Sequence, residues 1–263
     1  RVEPGMTLAL LTGLLIKKDF ERCSDLSKDE QLCVERLKDE SCELWFPVNP
    51  TETSAHIGGI VATNASGART YRFGATRDWV RAVDVVLADG RLLTIRRGEV
   101  FAENGLFRLE QKDGSVTELE ITDLILPDTK ATLGYPLKKD MDLIDLFIGS
   151  EGTLGLIVSV ELKIVQKAEA VIGVLVTVPE ELTALRLVEA LREKQGVVFD
   201  AIEYFDSAAF QLLKEKKEVD GSGCHIPDLP NWEGCGIYLE FSGTEEETED
   251  ACMPLEEVLE EFG

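Results

Sequence analysis

The segment Pro50–Gly74, PTETSAHIGGIVATNASGARTYRFG, concentrates the residue types that let a backbone approach a ligand. Gly58, Gly59, Gly67 and Gly74 carry no side chain to keep a ligand at a distance, and successive unblocked N–H groups form an anion-binding concavity. Thr63, Asn64 and Ser66, set among Ala62 and Ala65, add short donors and acceptors suited to a pyrophosphate, a ribose or a flavin edge. A small-residue turn at a tightly packed sheet corner uses the same residues, so the types alone leave both readings open.

The spacing matches neither the dinucleotide fingerprint GxGxxG nor the phosphate loop GxxxxGK[ST], so nicotinamide and nucleotide-triphosphatase folds lose support. A second glycine-punctuated stretch, DLFIGSEGTLGLIVSVELKIV, places Gly152 and Gly155 around a turn. There Glu151 either accepts from a ribose hydroxyl or serves as a turn residue between helix and strand. Each stretch alone offers too few donors to hold a dinucleotide, so the two are expected to lie side by side and line one groove. His56, beside the glycine pair, reads as a cofactor contact or as a structural histidine among small and apolar neighbours. The guanidinium groups of Arg69, Arg72, Arg77 and Arg81 could serve a pyrophosphate or a substrate carboxylate; Arg77 and Arg81 read as ordinary surface ion-pair residues, and Arg69 and Arg72 stay open between the two. His225 falls in the polar loop 221–230 and reads as exposed.

The formal net charge of −23 excludes a nucleic-acid partner, since phosphate binding needs a basic surface. The charge is uneven: residues 1–167 hold 21 basic and 27 acidic side chains, whereas residues 168–263 hold 6 basic and 23 acidic. That break predicts two domains meeting near Lys167, with the acidic excess of the second mainly a solvated surface. No run reaches the eighteen or so apolar residues of a membrane-spanning helix. Cys23, Cys33, Cys42, Cys224, Cys235 and Cys252 form no CxxC pair and have no histidine at ligand spacing. Reduced thiols and no metal site are therefore expected, in a cytoplasmic chain or one peripheral to a membrane.

The elements that must carry these motifs can be read in order. Arg1–Gly5 ends a strand and turns, and a helix follows from about Met6. Residues 17–43 are charge-rich and read as a helix on Leu26, Leu32, Val34 and Leu37, or as a partly disordered insertion. Two hairpins follow, Ala82–Leu87 with Arg91–Ile95 around Asp89-Gly90, and Phe107–Gln111 with Val116–Ile121 around Asp113-Gly114. Met141–Ile148 reads as a helix stopped by Gly149, and Leu154–Val165 as a long strand. Beyond Lys167 the order is strand 171–178, a helix opened by Pro179, strand 197–205, helix 207–217, strand 236–241, and a last helix with the capping box Thr244–Glu247. That order predicts helices on an antiparallel sheet, an α+β class. Both ends of the chain read as interior to a domain.

The run IGGIVATNASGARTYRFGATRDWV, then VVLADGRLL, then DLFIGSEGTLGLIVSVELKIV, resembles the vanillyl-alcohol-oxidase-type (PCMH-type) FAD-binding flavoproteins. Within them it looks most like the D-lactate dehydrogenase, glycolate oxidase and D-2-hydroxyglutarate dehydrogenase branch. VEPGMTL resembles the piece that precedes these motifs in that branch, and DAIEYFD the start of its substrate domain. The resemblance implies an α+β chain: the C-terminal part of a PCMH-type FAD-binding domain over 1–167, with a charged insertion at 17–43, then a truncated ferredoxin-like substrate (cap) domain over 168–263. It implies non-covalent FAD lined by Ser54, His56, Ile57, Gly58, Gly59, Thr63, Asn64, Ser66 and Gly67, with Glu151, Gly152, Gly155 and Ile157 from the second stretch.

The activity so implied is oxidation of a small 2-hydroxy acid such as D-lactate, glycolate or D-2-hydroxyglutarate, with hydride transfer to flavin N5. Electrons would leave to a quinone, a cytochrome or an electron-transfer flavoprotein. The branch's other glycine-rich flavin loop and its metal-binding histidine and glutamate cluster have no counterpart here, so the chain alone is expected to hold FAD weakly and to be inactive. An ether-lipid-synthase-type flavoprotein and a non-catalytic interaction subunit are the alternatives.

Overall fold

The first turn is stitched backbone to backbone onto the segment that carries the glycine pair. Leu8 N–H donates to Ala55 O at 2.9 Å and Ile57 N–H to Met6 O at 2.8 Å, while Thr7 and His56 form an antiparallel bridge. The computed structural model describes residues 1–263 except 22, 25, 49, 111–114, 126–128, 130–133, 195, 222–225, 227, 230–233 and 263. The turn of the second predicted hairpin at Asp113-Gly114, Cys224 and His225 lie outside the described residues. The chain folds as two compact units: Arg1–Gly67 with Phe73–Lys167, and Ala68–Arg72 with Ala168–Gly263.

The first unit contains α1 (Leu8–Lys17), α2 (Lys28–Asp39), β1 (Leu44–Trp45), α3 (Ile57–Ala62) and the end of the single turn α4 (Thr70–Phe73). After a 3₁₀ turn at Thr76–Trp79 come β2 (Val80–Val86), β3 (Leu92–Arg96), β4 (Leu106–Glu110), β5 (Val116–Glu120), α5 (Ile144–Phe147), β6 (Leu156–Leu162) and β7 (Val165–Gln166). Helix α1 starts where Thr7 Oγ1 accepts from Leu10 N and buries Leu8, Leu11 and Leu15, residues spaced at i, i+3 and i+7 on one face. Helix α2 has a full capping box between Ser27 and Glu30 but buries none of its side chains, so its caps and surface charges hold it.

Strand β2 is the centre of an antiparallel sheet, order β3-β2-β6. Its Val80, Val83 and Val85 pack with Ile57, Val61, Ile144, Ile148 and Val160 in one core. The first hairpin forms where Asp89-Gly90 predicts it, with a different turn. Leu87 N–H donates to Arg91 O at 2.9 Å and Gly90 N–H to Leu87 O at 2.9 Å, enclosing Ala88, Asp89 and Gly90. Gly90 has φ 83 and Asp89 is not left-handed, so this is a three-residue loop with a glycine bulge, not a two-residue mirror turn. Predicted helix 141–148 shortens to α5, because Phe101 bridges Asp142 and Ala102 N–H bonds Met141 O, which hold that stretch extended.

The second unit runs β8 (Ala170–Val178), α6 (Glu181–Glu193), β9 (Phe199–Phe205), α7 (Ser207–Asp220), β10 (Cys235–Gly243), α8 (Glu245–Glu260). The sheet order is β8-β10-β9 with both neighbours antiparallel to β10. With the third strand between the other two, and α6 and α8 following the first and third strands, the unit has the arrangement of the β-α-β-β-α portion of a ferredoxin-like fold. Helix α7 is an additional helix between the second and third strands. On β10, Ile237, Leu239 and Phe241 join Leu187 and Leu191 of α6 and Leu255 and Val258 of α8 in a second core. The alternate residues Tyr238, Glu240 and Ser242 take the other face. Pro179 lies just before the N-cap Glu180, one step outside the helix it was expected to open.

Candidate flavin-facing site

The two glycine-punctuated stretches meet directly within the first unit. Gly149 N–H donates to Val61 O at 3.0 Å and Glu151 N–H to Ala62 O at 2.9 Å, so the end of α3 and the turn before β6 share backbone bonds. Residues at this junction adopt the left-handed region: Asn64 (φ 47), Gly149 (φ 88), Glu151 (φ 51) and Gly152 (φ 79). For Glu151 that conformation costs about 1–2 kcal/mol and persists only where the surroundings enforce it, whereas asparagine tolerates it more readily. Thr153 Oγ1 donates to Ser150 O at 2.5 Å, its N–H bonds the same carbonyl, and the Tyr135 and Thr153 hydroxyls are hydrogen-bonded.

The glycines differ in role. An added Cβ at Gly58 would stand 2.6 Å from Pro4 Cβ, and one at Gly155 would stand 2.6 Å from Val85 Cγ1 and 2.7 Å from Val86 O. Those two glycines let chain pack on chain. At Gly59 and Gly152 an added Cβ meets nothing within 4 Å, so there the bare backbone faces open space. The anion-binding concavity expected of successive N–H groups is not what the segment forms. Ile57 N–H goes to Met6 O, Gly58 N–H to Pro4 O, Thr63 N–H to Gly59 O and Asn64 N–H to Val61 O.

Of the other candidates, Ser54, His56, Thr63 and Glu151 are exposed, and Ser66 and Gly67 are half-buried. Ser54 holds the Glu52 carboxyl below its usual range, by its side chain first and its amide second. Thr63 Oγ1 donates to Gly59 O at 2.9 Å and keeps its lone pairs as acceptors. Ile57 is fully buried, so its side chain belongs to the core, and Ile157 is half-buried against the same core. An open groove of about 1200 Å³ lies beside β3 and the β4–β5 hairpin, lined by Leu93, Ile95, Leu109, Phe147 and Leu154 among others; none of the candidate residues lines it.

The arginines are committed to protein partners. Arg69 Nε donates to Glu240 at 2.5 Å and Arg72 pairs with Asp200, both carboxylates being on the second unit's sheet. Arg77, expected as a surface ion-pair residue, is instead largely buried. Its guanidinium donates to Asp145 O and Ile148 O, each at 2.7 Å, and pairs with the Asp145 carboxylate at 2.9 Å. Arg97 bonds both Asp145 oxygens, at 3.2 and 2.9 Å, and lies beside Asp142. Reasoning from the sequence missed this network, whose signal is two acids, Asp142 and Asp145, in an otherwise apolar run.

The residues present fit the part of FAD that backbone, hydroxyl and carboxylate groups can hold. Gly59 and Gly152 offer open backbone, Thr63 an acceptor hydroxyl, and Glu151 a carboxylate suited to a ribose hydroxyl. Arg69, Arg72 and Arg77 each face a carboxylate of the protein.

Residues 35–96 match the FAD binding domain family. The chain is 30% identical over 233 residues to a D-lactate dehydrogenase of Anaerostipes hadrus, covering 84% of this chain and 38% of that protein. It is 33% identical over 208 residues to a mitochondrial D-2-hydroxyglutarate dehydrogenase of Danio rerio, covering 78% of this chain and 31% of that protein. The fold matches a solved alkyldihydroxyacetonephosphate synthase with TM-score 0.53 at 16% identity, over 83% of this chain and 34% of that one. The chain therefore spans about a third of the length of these relatives.

Proposed function

We propose that this chain, whose residues 35–96 match the FAD binding domain family and which is similar to D-lactate and D-2-hydroxyglutarate dehydrogenases, is part of an FAD-dependent dehydrogenase of the PCMH type acting on a small 2-hydroxy acid such as D-lactate, glycolate or D-2-hydroxyglutarate. The observation that carries this reading is the pair of backbone bonds joining Val61 and Ala62 to Gly149 and Glu151, which brings both flavin-type motifs to one place. In this reading residues 1–167 are the FAD-binding domain and residues 168–263 the substrate domain.

FAD, when bound, supplies the acceptor for the hydride of the 2-hydroxy acid. The chain's own residues bind and orient it. Gly59 and Gly152 admit the cofactor to van der Waals distance, Thr63 and Ser66 offer hydroxyls to its polar edge, and His56 and Ser54 flank the approach. Glu151 accepts from a ribose hydroxyl. Electrons would leave to a quinone, a cytochrome or an electron-transfer flavoprotein. No described helix is long and apolar enough to cross a membrane.

The test is spectroscopic. Full-length protein is expected to purify with FAD and to show the flavin band at about 450 nm, a property of the cofactor. D-lactate, glycolate or D-2-hydroxyglutarate should bleach that band without oxygen. Bound FAD that none of the three acids reduces would overturn the substrate assignment, and protein that takes up no FAD would overturn the family role itself.

A further inference from the structure

We infer that Arg77 is a positioning residue that holds the two FAD-lining segments in register. The inference rests on reading 54–67 and 151–157 as cofactor-lining, and it adds a residue that neither motif contains. The Arg77 backbone N–H donates to Asn64 Oδ1 at 2.9 Å, which ties it to the end of the first segment. Its guanidinium donates to Ile148 O at 2.7 Å and to Asp145 O at 2.7 Å, which ties it to the entry of the second. One residue thus terminates on both.

The junction it serves needs such a device. Asn64 and Glu151 are non-glycine residues in the left-handed region, a conformation that relaxes unless neighbours over-determine it. An added Cβ at Gly149 would stand 3.3 Å from Asn64 Cβ and 3.6 Å from Arg77 Nη2, so the two segments and Arg77 are in mutual contact. Arg77 is itself buttressed, since Arg97 donates to Arg77 O at 3.0 Å and bonds the same Asp145 carboxylate. The planar fork explains why the residue is arginine, because it serves two carbonyls and a carboxylate from fixed directions, which a lysine ammonium cannot.

The test uses the full-length protein and two readouts, hydrogen exchange without flavin and the FAD dissociation constant. Arg77→Met is expected to speed exchange about tenfold or more in peptides covering 60–66 and 148–154, with less than about twofold change in 8–17 and 235–243. FAD affinity should fall at least about tenfold. Arg77→Lys keeps the charge beside Asp145, so it should restore thermal stability without restoring exchange protection or FAD affinity, an outcome that a merely structural role does not give. Should the Met variant fail to fold, the Lys variant alone gives both readouts. Exchange in both peptides unchanged from the parent, or FAD affinity within about twofold of it, would overturn the inference. A parent protein that binds no FAD, with the exchange effect intact, would remove the cofactor reading while sustaining the registering role.

Discussion

Arg69 Nε donates to the Glu240 carboxylate at 2.5 Å, across 171 positions of sequence. Glu240 sits on the central strand β10 with 9% of its surface exposed, and Asp200 on β9, 1% exposed, is met in the same way by Arg72. Two carboxylates on strands whose alternate residues build a core are tolerated only when paired. Ala68–Arg72 therefore belongs with the second unit, although it follows the glycine segment in the chain. The arginines considered for a pyrophosphate or a substrate carboxylate are structural partners of that sheet.

Removing one member should show this. Arg69→Ala leaves Glu240 charged and largely buried, and should destabilise the second unit by about 3 kcal/mol, the lower end for a broken buried pair, since the Arg69 side chain retains some exposure. The double variant Arg69→Ala with Glu240→Gln should recover part of that loss. A double-mutant cycle in urea checks it, and a single variant as stable as the parent contradicts the pairing.

Tyr238 belongs to the same cluster, its hydroxyl donating to Glu240 Oε2 at 3.1 Å. Burial first, and the nearby Glu240 charge second, raise its ionisation above the ordinary 10.0. The folded state thus favours the protonated phenol, so its contribution is fully present below pH 10.0 and is lost as pH rises through the higher folded value. Thermal melts from neutral to strongly alkaline pH should show a decline in the parent that is shallower in Tyr238→Phe. Equal alkaline slopes for both proteins would contradict it.

Neighbouring glycines should separate packing from ligand access. Gly58→Ala forces a Cβ to 2.6 Å from Pro4 Cβ and should destabilise by about 1–3 kcal/mol. Gly59→Ala meets no atom and replaces glycine within α3, so stability should hold or rise by about 0.5–1 kcal/mol. FAD affinity should nonetheless fall in the second variant. Denaturant titration and flavin titration on the same two proteins give both answers, and a Gly59→Ala protein that binds FAD like the parent would move the cofactor elsewhere.

Much of this was legible in the sequence where signals are local. The periodicity of α1, the Thr244–Glu247 capping box and the Asp89-Gly90 hairpin each depend on residues within a few positions of one another. The family of the glycine segment was legible for the same reason. The partners of Arg69, Arg72 and Arg77 were not, because charge pairing is set by which strands become neighbours, and that is a long-range outcome. A clue was present: Asp200 and Glu240 interrupt apolar strands in a stretch with only 6 basic side chains, so their partners had to be sought elsewhere. The roles of Gly58 and Gly59, identical in sequence terms, separate only when Pro4 is brought against one of them.

Glu151 combines backbone strain with an exposed carboxylate, and two substitutions tell them apart. Its φ of 51 costs about 1–2 kcal/mol for a residue with a Cβ, and glycine would relieve that. Glycine also enlarges the entropy lost on folding by about 0.5–1 kcal/mol, so Glu151→Gly should change stability little. Glu151→Gln retains the strain and the shape and removes only the charge. If the carboxylate accepts from the FAD ribose, Glu151→Gly loses a charge-assisted bond of about 1.5–3 kcal/mol, a tenfold or greater loss of affinity, while Glu151→Gln keeps a neutral acceptor oxygen and loses only the charge assistance. Flavin titrations should then give a loss for Gln that is measurable but smaller than that for Gly, with melting temperatures close to the parent's. A Gln variant that binds FAD as the parent does, beside a Gly variant that does not, would assign the residue to the turn and leave the carboxylate without a ligand role.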